Sequence, residues 1–154
     1  MNRLSRVCGV LLFLMFSSSP PAQQLGRDWG RATAHAQWAD GGVVAVHDGK
    51  MWGFAWPAPP AVPRNEVWYS TDGVQWSSVT LSAPYHGGAC LAFNGQIWTL
   101  GGGDADRCFN DVWHSPNGAN WTSAILSAAW PPRVGHAAVV FEGKMWVLGG
   151  VNND

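Results

Sequence analysis

Short apolar runs broken by Gly, Asn, Asp and Pro turns fill this chain from residue 42 onward, and the runs recur in register. The segments GKMWGFAW at 49–56, GQIWTLGG at 95–102 and GKMWVLGG at 143–150 align Trp52 with Trp98 and Trp146, a step of about 46 residues. A second block, NEVWYSTDGVQW at 65–76 and NDVWHSPNGANW at 110–121, keeps a similar spacing between Trp68 and Trp113. Two blocks with one period define a repeat, and each unit holds four short apolar segments. None of these segments has the length of a helix, so the pattern predicts strands.

The elements follow one by one. First strands are expected at Val43–Val46, Ala89–Phe93 and Ala137–Phe141, and tight turns at Asp48-Gly49, Asn94-Gly95 and Glu142-Gly143 open hairpins. Second strands at Met51–Phe54, Ile97–Leu100 and Met145–Leu148 run toward glycine pairs, which permit backbone angles closed to other residues. Third strands at Val67–Ser70 and Val112–Ser115 turn at Asp72-Gly73 and Asn117-Gly118 into fourth strands that begin at Trp76 and Trp121. The first strands are rich in Gly and Ala, while the tryptophans sit further along each unit, where large side chains fill the space between twisted sheets.

A small-residue strand, an apolar strand, the pair Gly101-Gly102 or Gly149-Gly150, a loop and then an aromatic strand such as Asn110-Asp111-Val112-Trp113 resemble the kelch repeat. Trp130-Pro131-Pro132-Arg133-Val134-Gly135-His136 resembles the join between kelch blades. The first unit departs from the pattern, with Ala55-Trp56 where the glycine pair belongs. The resemblance implies an all-β chain: an incomplete β-propeller of four-stranded antiparallel kelch-type blades, about two and a half of them, plus an N-terminal closing strand. That closing strand is expected over Trp29–Trp38, completing the last blade. Known propellers use about four to eight blades, so the segment 23–154 is expected to be truncated at its C-terminus. The alternative is self-association through the open blade flanks.

The segments Ser70–Trp76 and Ser115–Trp121 resemble the Asp-box hairpin of sialidase-type propellers, shortened by one residue. Asp72 and Asn117 are read there as turn residues whose side chains bond nearby backbone.

Arg3 and Arg6 followed by an apolar run from Val7 to Phe16, then serines, prolines and Ala22, match a secretory signal peptide over residues 1–22. The run is too short for a stable membrane span, and no membrane anchor is expected after cleavage. The expected location is therefore secreted or periplasmic. Losing Arg3 and Arg6 makes the formal charge of −1 more negative by two. With charged residues at 12% and no basic stripe, nucleic acid is not an expected partner. Of three cysteines, Cys8 leaves with the leader. Cys90 and Cys108 could form a disulfide in an oxidising compartment or stay as two separate thiols.

In propellers of the kelch type, loops entering the first strand and loops joining the second to the third share one face, where ligands sit. On this chain those loops carry Arg64, Tyr85, His86, Asp104, Asp106, Arg107, Trp130, Arg133 and His136, a polar and aromatic mixture suited to a glycan or a protein or peptide ligand. Arg133 and His136 also admit a joining role, bonding backbone carbonyls between units. Asp104, Asp106 and Asp111 are read as a polar connection or a weak cation site.

The resemblance also implies an alternative, a fragment of a galactose-oxidase-like or sialic acid epimerase-like enzyme whose catalytic residues lie outside this chain. A copper radical centre needs convergent tyrosines and histidines, whereas Tyr69 and Tyr85 stand apart and His35, His47, His86, His114 and His136 are scattered. The sequence therefore assigns no catalytic residue, no metal site and no cofactor, and it favours a noncatalytic binding module.

Overall fold

A computed structural model describes residues 12–15, 29–33, 42–55, 66–82, 85–104 and 106–152. Its described residues form strands and no helix. The strands are β1 (Leu12–Met15), β2 (Trp29–Thr33), β3 (Gly42–His47), β4 (Lys50–Ala55), β5 (Glu66–Ser70) and β6 (Ser77–Thr80). They continue with β7 (Gly87–Phe93), β8 (Gln96–Gly103), β9 (Cys108–Ser115), β10 (Thr122–Ile125), β11 (Ala137–Phe141) and β12 (Lys144–Leu148). Two four-stranded sheets, β3-β4-β5-β6 and β7-β8-β9-β10, each follow chain order and are antiparallel throughout, and β11-β12 repeats the first half of that arrangement. Each expected strand of the repeats is present. The largest extensions are those of β8 and β9, and β9 begins at Cys108, inside the segment expected to be loop.

The three hairpins are built alike because their turns are. Asp48, Asn94 and Glu142 have φ of 50°, 48° and 48°, each followed by a glycine with positive φ. Two successive left-handed residues give the turn whose twist matches that of its flanking strands. Across every turn, the tryptophan indole Nε1 donates to the carbonyl of the residue that ends the first strand. Trp52 reaches His47 at 3.1 Å, Trp98 reaches Phe93 at 2.9 Å and Trp146 reaches Phe141 at 3.1 Å. The aligned tryptophans therefore satisfy their one polar atom locally and leave the ring free to pack.

The expected Asx-type turns are also duplicated bond for bond. Ser70 Oγ accepts from Asp72 N and Gly73 N, while Asp72 Oδ1 accepts from Val74 N and Gln75 N. Ser115 and Asn117 make the same four bonds one repeat later. In both turns the tryptophan indole closes the loop, Trp76 onto Gly73 O and Trp121 onto Gly118 O.

Strand alternation gives each sheet two apolar faces. Ala45, Trp52, Phe54 and Val67 of the first sheet pack with Ile97 of the second and with Leu81 and Tyr85 of the connection. Phe54, Val67 and Ile97 are fully buried, and a side chain of that kind stabilises by about 1.5–3 kcal/mol. On the other face of the second sheet, Leu91, Leu100 and Val112 pack with Ala138, Met145 and Val147 of β11-β12. The first strands lie side by side, β3 against β7 and β7 against β11. Among the described residues the sheets do not close into a ring.

Small residues are required where these strands approach. A Cβ on Gly88 would collide with the carbonyl oxygens of Leu100 and Gly101. Beside it the pair Gly101-Gly102, with φ of 55° and 112°, forms an irregularity in the β8–β9 register.

At the N-terminus the structure departs from the expectation. Trp29–Thr33 is a strand, as expected, but it pairs antiparallel with Leu12–Met15 in a separate two-stranded sheet and not with the sheet of β11 and β12. Joining that sheet as a fourth strand would need a third strand beside β12, and among the described residues β12 pairs with β11 alone. The backbone groups of Trp29–Thr33 are met by the nearby apolar strand. Residues 34–38 of the expected strand, and most of the segment read as a leader, lie outside the described residues.

Candidate functional site

The loops chosen from the sequence converge where β7 begins and β8 gives way to β9. Gly103 N donates to His86 O at 2.6 Å, and Asp104 N donates to Arg107 O at 3.0 Å. Asp104 Oδ1 accepts from Asp106 N at 2.9 Å and from Arg107 N at 3.0 Å, so this carboxylate shapes the loop from within. Those backbone bonds, in that order, lower its pKa below the ordinary 3.8. The loop so formed presents Arg107 over the ring of Phe109, with the guanidinium carbon 4.7 Å from the ring centroid.

The imidazole of His86 stacks on the same phenyl ring, centroids 3.7 Å apart and planes 11° from parallel. Its Nε2 stands 3.7 Å from Asp111 Oδ2, and that oxygen accepts from Trp113 Nε1 at 2.7 Å. Burial lowers the His86 pKa below 6.5, against the raising influence of the Asp111 and Asp104 carboxylates. At neutral pH the ring is therefore an uncharged hydrogen-bonding surface beside the cation of Arg107. A planar stack with a cation at its exposed end offers one flat apolar contact and charged donors, the combination that a sugar ring or a peptide side chain engages.

The remaining candidates divide differently. Tyr85 is 8% exposed, its hydroxyl donates to Gly88 O at 3.1 Å, and its ring packs 5.3 Å from Phe54. It belongs to the core between the first two sheets. Trp130 lies against Gly101, where a Cβ would come within 2.9 Å of its ring, and 6.0 Å from the His136 ring. Arg133 donates to Pro131 O and Gly149 O, at 3.1 and 2.6 Å, and His136 Nε2 donates to Leu100 O at 2.9 Å. These two side chains tie the join to neighbouring strands through carbonyls. Asp106 is exposed, and Arg64 lies outside the described residues.

The strand register bears on two alternatives that the sequence left open. Cys90 and Cys108 are both free. Cys90 pairs with Thr99 and Cys108 with Gly103, so they stand four residues apart along β8. That is about 13 Å, whereas a disulfide needs Cα atoms within about 7 Å. Burial also pushes the Cys90 thiol far above its ordinary pKa of 9.0. The three aspartates do not converge on a cation either. Asp111 sits on β9 facing Trp113 and His86, Asp104 is committed to backbone, and among the described residues no group of three or more His, Cys, Asp or Glu could hold a metal ion.

Phe109 is the residue of this cluster that sequence reasoning passed over. Its signal was position: it lies next to Cys108, between a polar loop and the repeated block that starts at Asn110. Tyr69, the other tyrosine, packs 5.3 Å from Trp52 with Lys50 Nζ 5.4 Å above its ring, far in sequence from the His86 stack. Compared with known proteins, the chain matches no family model and has no significant match among curated proteins.

Proposed function

We propose that this chain is part of an exported kelch-type propeller, and that it acts as a noncatalytic binding module for a glycan or protein ligand. Three features support the propeller reading: in-register recurrence of antiparallel sheets in chain order, first strands side by side, and joins tied to their neighbours by Arg133 and His136. The observation that carries the binding reading is the His86–Phe109–Arg107 stack, held on its loop by the Asp104 turn. An exposed cation and half-buried rings meet there, and among the described residues no group of three or more His, Cys, Asp or Glu accompanies them.

A glycan array and a peptide array probed with the full chain test this reading. Binding to a defined class, reduced at least tenfold by Arg107→Ala and by Phe109→Leu with the fold retained, is the expected result. Binding that survives both substitutions places the ligand elsewhere and rejects this site.

A further inference from the structure

At the end of the second sheet opposite the His86–Phe109–Arg107 stack, the turn from β9 to β10 carries Asn120-Trp121-Thr122, the one Asn-X-Ser/Thr triplet among the 154 residues. An asparagine followed two positions later by a hydroxyl is the acceptor pattern for an N-linked oligosaccharide, and a folded product tolerates the addition only where that asparagine stands on the surface. This turn meets the condition. Trp121 points inward, its indole bonded to Gly118 O at 2.9 Å and its ring edge-on to Phe54 at 5.8 Å. Successive side chains of an extended segment face opposite ways, so Asn120 and Thr122 face outward on either side of it, and both are exposed.

The carboxamide of Asn120 is also uncommitted. Its backbone N donates to Asn117 Oδ1 at 3.0 Å, and among the described residues its side chain makes no hydrogen bond. Its neighbours are spent: Asn110 Nδ2 donates to Ala128 O at 2.9 Å and to Trp130 O at 3.1 Å, and Asn117 Oδ1 takes the amides of Ala119 and Asn120. Neither has a hydroxyl two residues on, since Val112 and Ala119 stand there. The first turn repeats the same bonds with Gln75 at this place, so of the two turns only the second holds an acceptor.

We propose that Asn120 is a site of N-linked glycosylation. Transfer from a lipid-diphosphate-linked oligosaccharide joins Asn120 Nδ2 to the anomeric carbon of the first sugar and breaks that carbon's bond to the diphosphate oxygen; one amide proton is lost and the lipid diphosphate leaves. Position favours the modification as well. β9 runs eight residues from Cys108, beside the Arg107 loop, to Ser115 at this turn, about 23 Å of strand, so the oligosaccharide stands clear of the stack. The side of the turn toward the first sheet is taken by Trp52 over Gly118 and by His47 Nε2 donating to Pro116 O at 3.1 Å, and Asn120 lies outside those contacts. The assignment rests on the export reading, because the lipid-linked donor is met in a secretory compartment.

Expression of the full chain in cultured eukaryotic cells tests it, once with its own residues 1–22 and once with a leader of established export in their place. Intact mass is measured in lysate and medium before and after peptide N-glycosidase treatment. With the established leader, treatment is expected to remove the mass of one oligosaccharide and to leave aspartate at position 120. Asn120→Gln and Thr122→Ala should abolish that loss, and Thr122→Ser should keep it. Circular dichroism of the modified and the trimmed chain should match. A chain that enters the secretory compartment and stays unmodified overturns the proposal, as does a mass loss that survives Asn120→Gln, or a modified chain without the sheet spectrum. If the chain's own leader leaves it unmodified in the cytosol while the established leader yields the modified form, the export reading fails and the acceptor assignment holds.

Discussion

Trp52 of the first sheet lies directly over Gly118 in the turn of the second, so close that a Cβ on Gly118 would penetrate the indole ring. The ring is held there by its bond to His47 O, and Gly118 has φ of 73°, a region L side chains rarely adopt. The conserved geometry of one repeat thus fixes the shape of its neighbour.

Gly118→Ala should accordingly be among the most damaging single-methyl additions in the chain. Overpacking and left-handed strain together cost about 2–4 kcal/mol. A urea titration that shows the midpoint unchanged would refute the close packing of the two sheets.

Ser70 is 2% exposed and accepts the amides of Asp72 and Gly73. Ser70→Ala strands those donors and should destabilise by about 1–3 kcal/mol. Asp72→Asn should be far milder than Asp72→Ala near neutral pH, because Asn117 fills the same role in the second turn. Backbone bonds from Gln75 and Val74, then the bond from Ser70, lower the Asp72 pKa from 3.8. Its contribution is therefore present above that value and fades as pH falls through the folded pKa. Acid titrations of wild type and Asp72→Asn should diverge above about pH 4 and converge in stronger acid.

Glu142 holds φ of 48° in a turn where the other two hairpins place Asp48 and Asn94. Glutamate gains nothing from its side chain in this conformation, whereas asparagine tolerates it. Glu142→Asn should raise stability by about 0.5–1 kcal/mol, read as a higher thermal midpoint.

His136 has its pKa lowered from 6.5, chiefly by burial; the bond to Leu100 O opposes this and the charge of Arg133 adds to it. The folded chain thus binds fewer protons at this ring than the unfolded chain does, and stability must fall as pH drops below 6.5. Between pH 7 and pH 5, His136→Gln should show a flatter decline of the urea midpoint than wild type. Part of the slope should remain, because His86 is shifted in the same direction. Equal slopes in the two proteins would remove His136 from the acid response.

The strands of the repeats and their turns were legible in the residues, since alternation, Asp48-Gly49, Asn94-Gly95 and the Ser70 and Ser115 turns are local signals. Chain-order pairing followed from them, because short antiparallel hairpins leave few other choices. The partner of Trp29–Thr33 was not legible, as any unpaired apolar strand satisfies its backbone, and here Leu12–Met15 does so. Nor was the proposed ligand rim. Tyr85 and Trp130 have the composition of contact residues, but Tyr85 is core and Trp130, half-buried, packs against Gly101; Phe109 was passed over, and it is its stacking with His86 that brings it into the cluster.

Local chemistry by itself determined an all-β chain of recurring antiparallel sheets, because strand periodicity and turn angles are set within a few residues. Tertiary structure alone decided which cysteines could meet and which loop side chains were spent on backbone. Those outcomes depend on register and on distances between segments far apart in the chain, and composition carries no record of either.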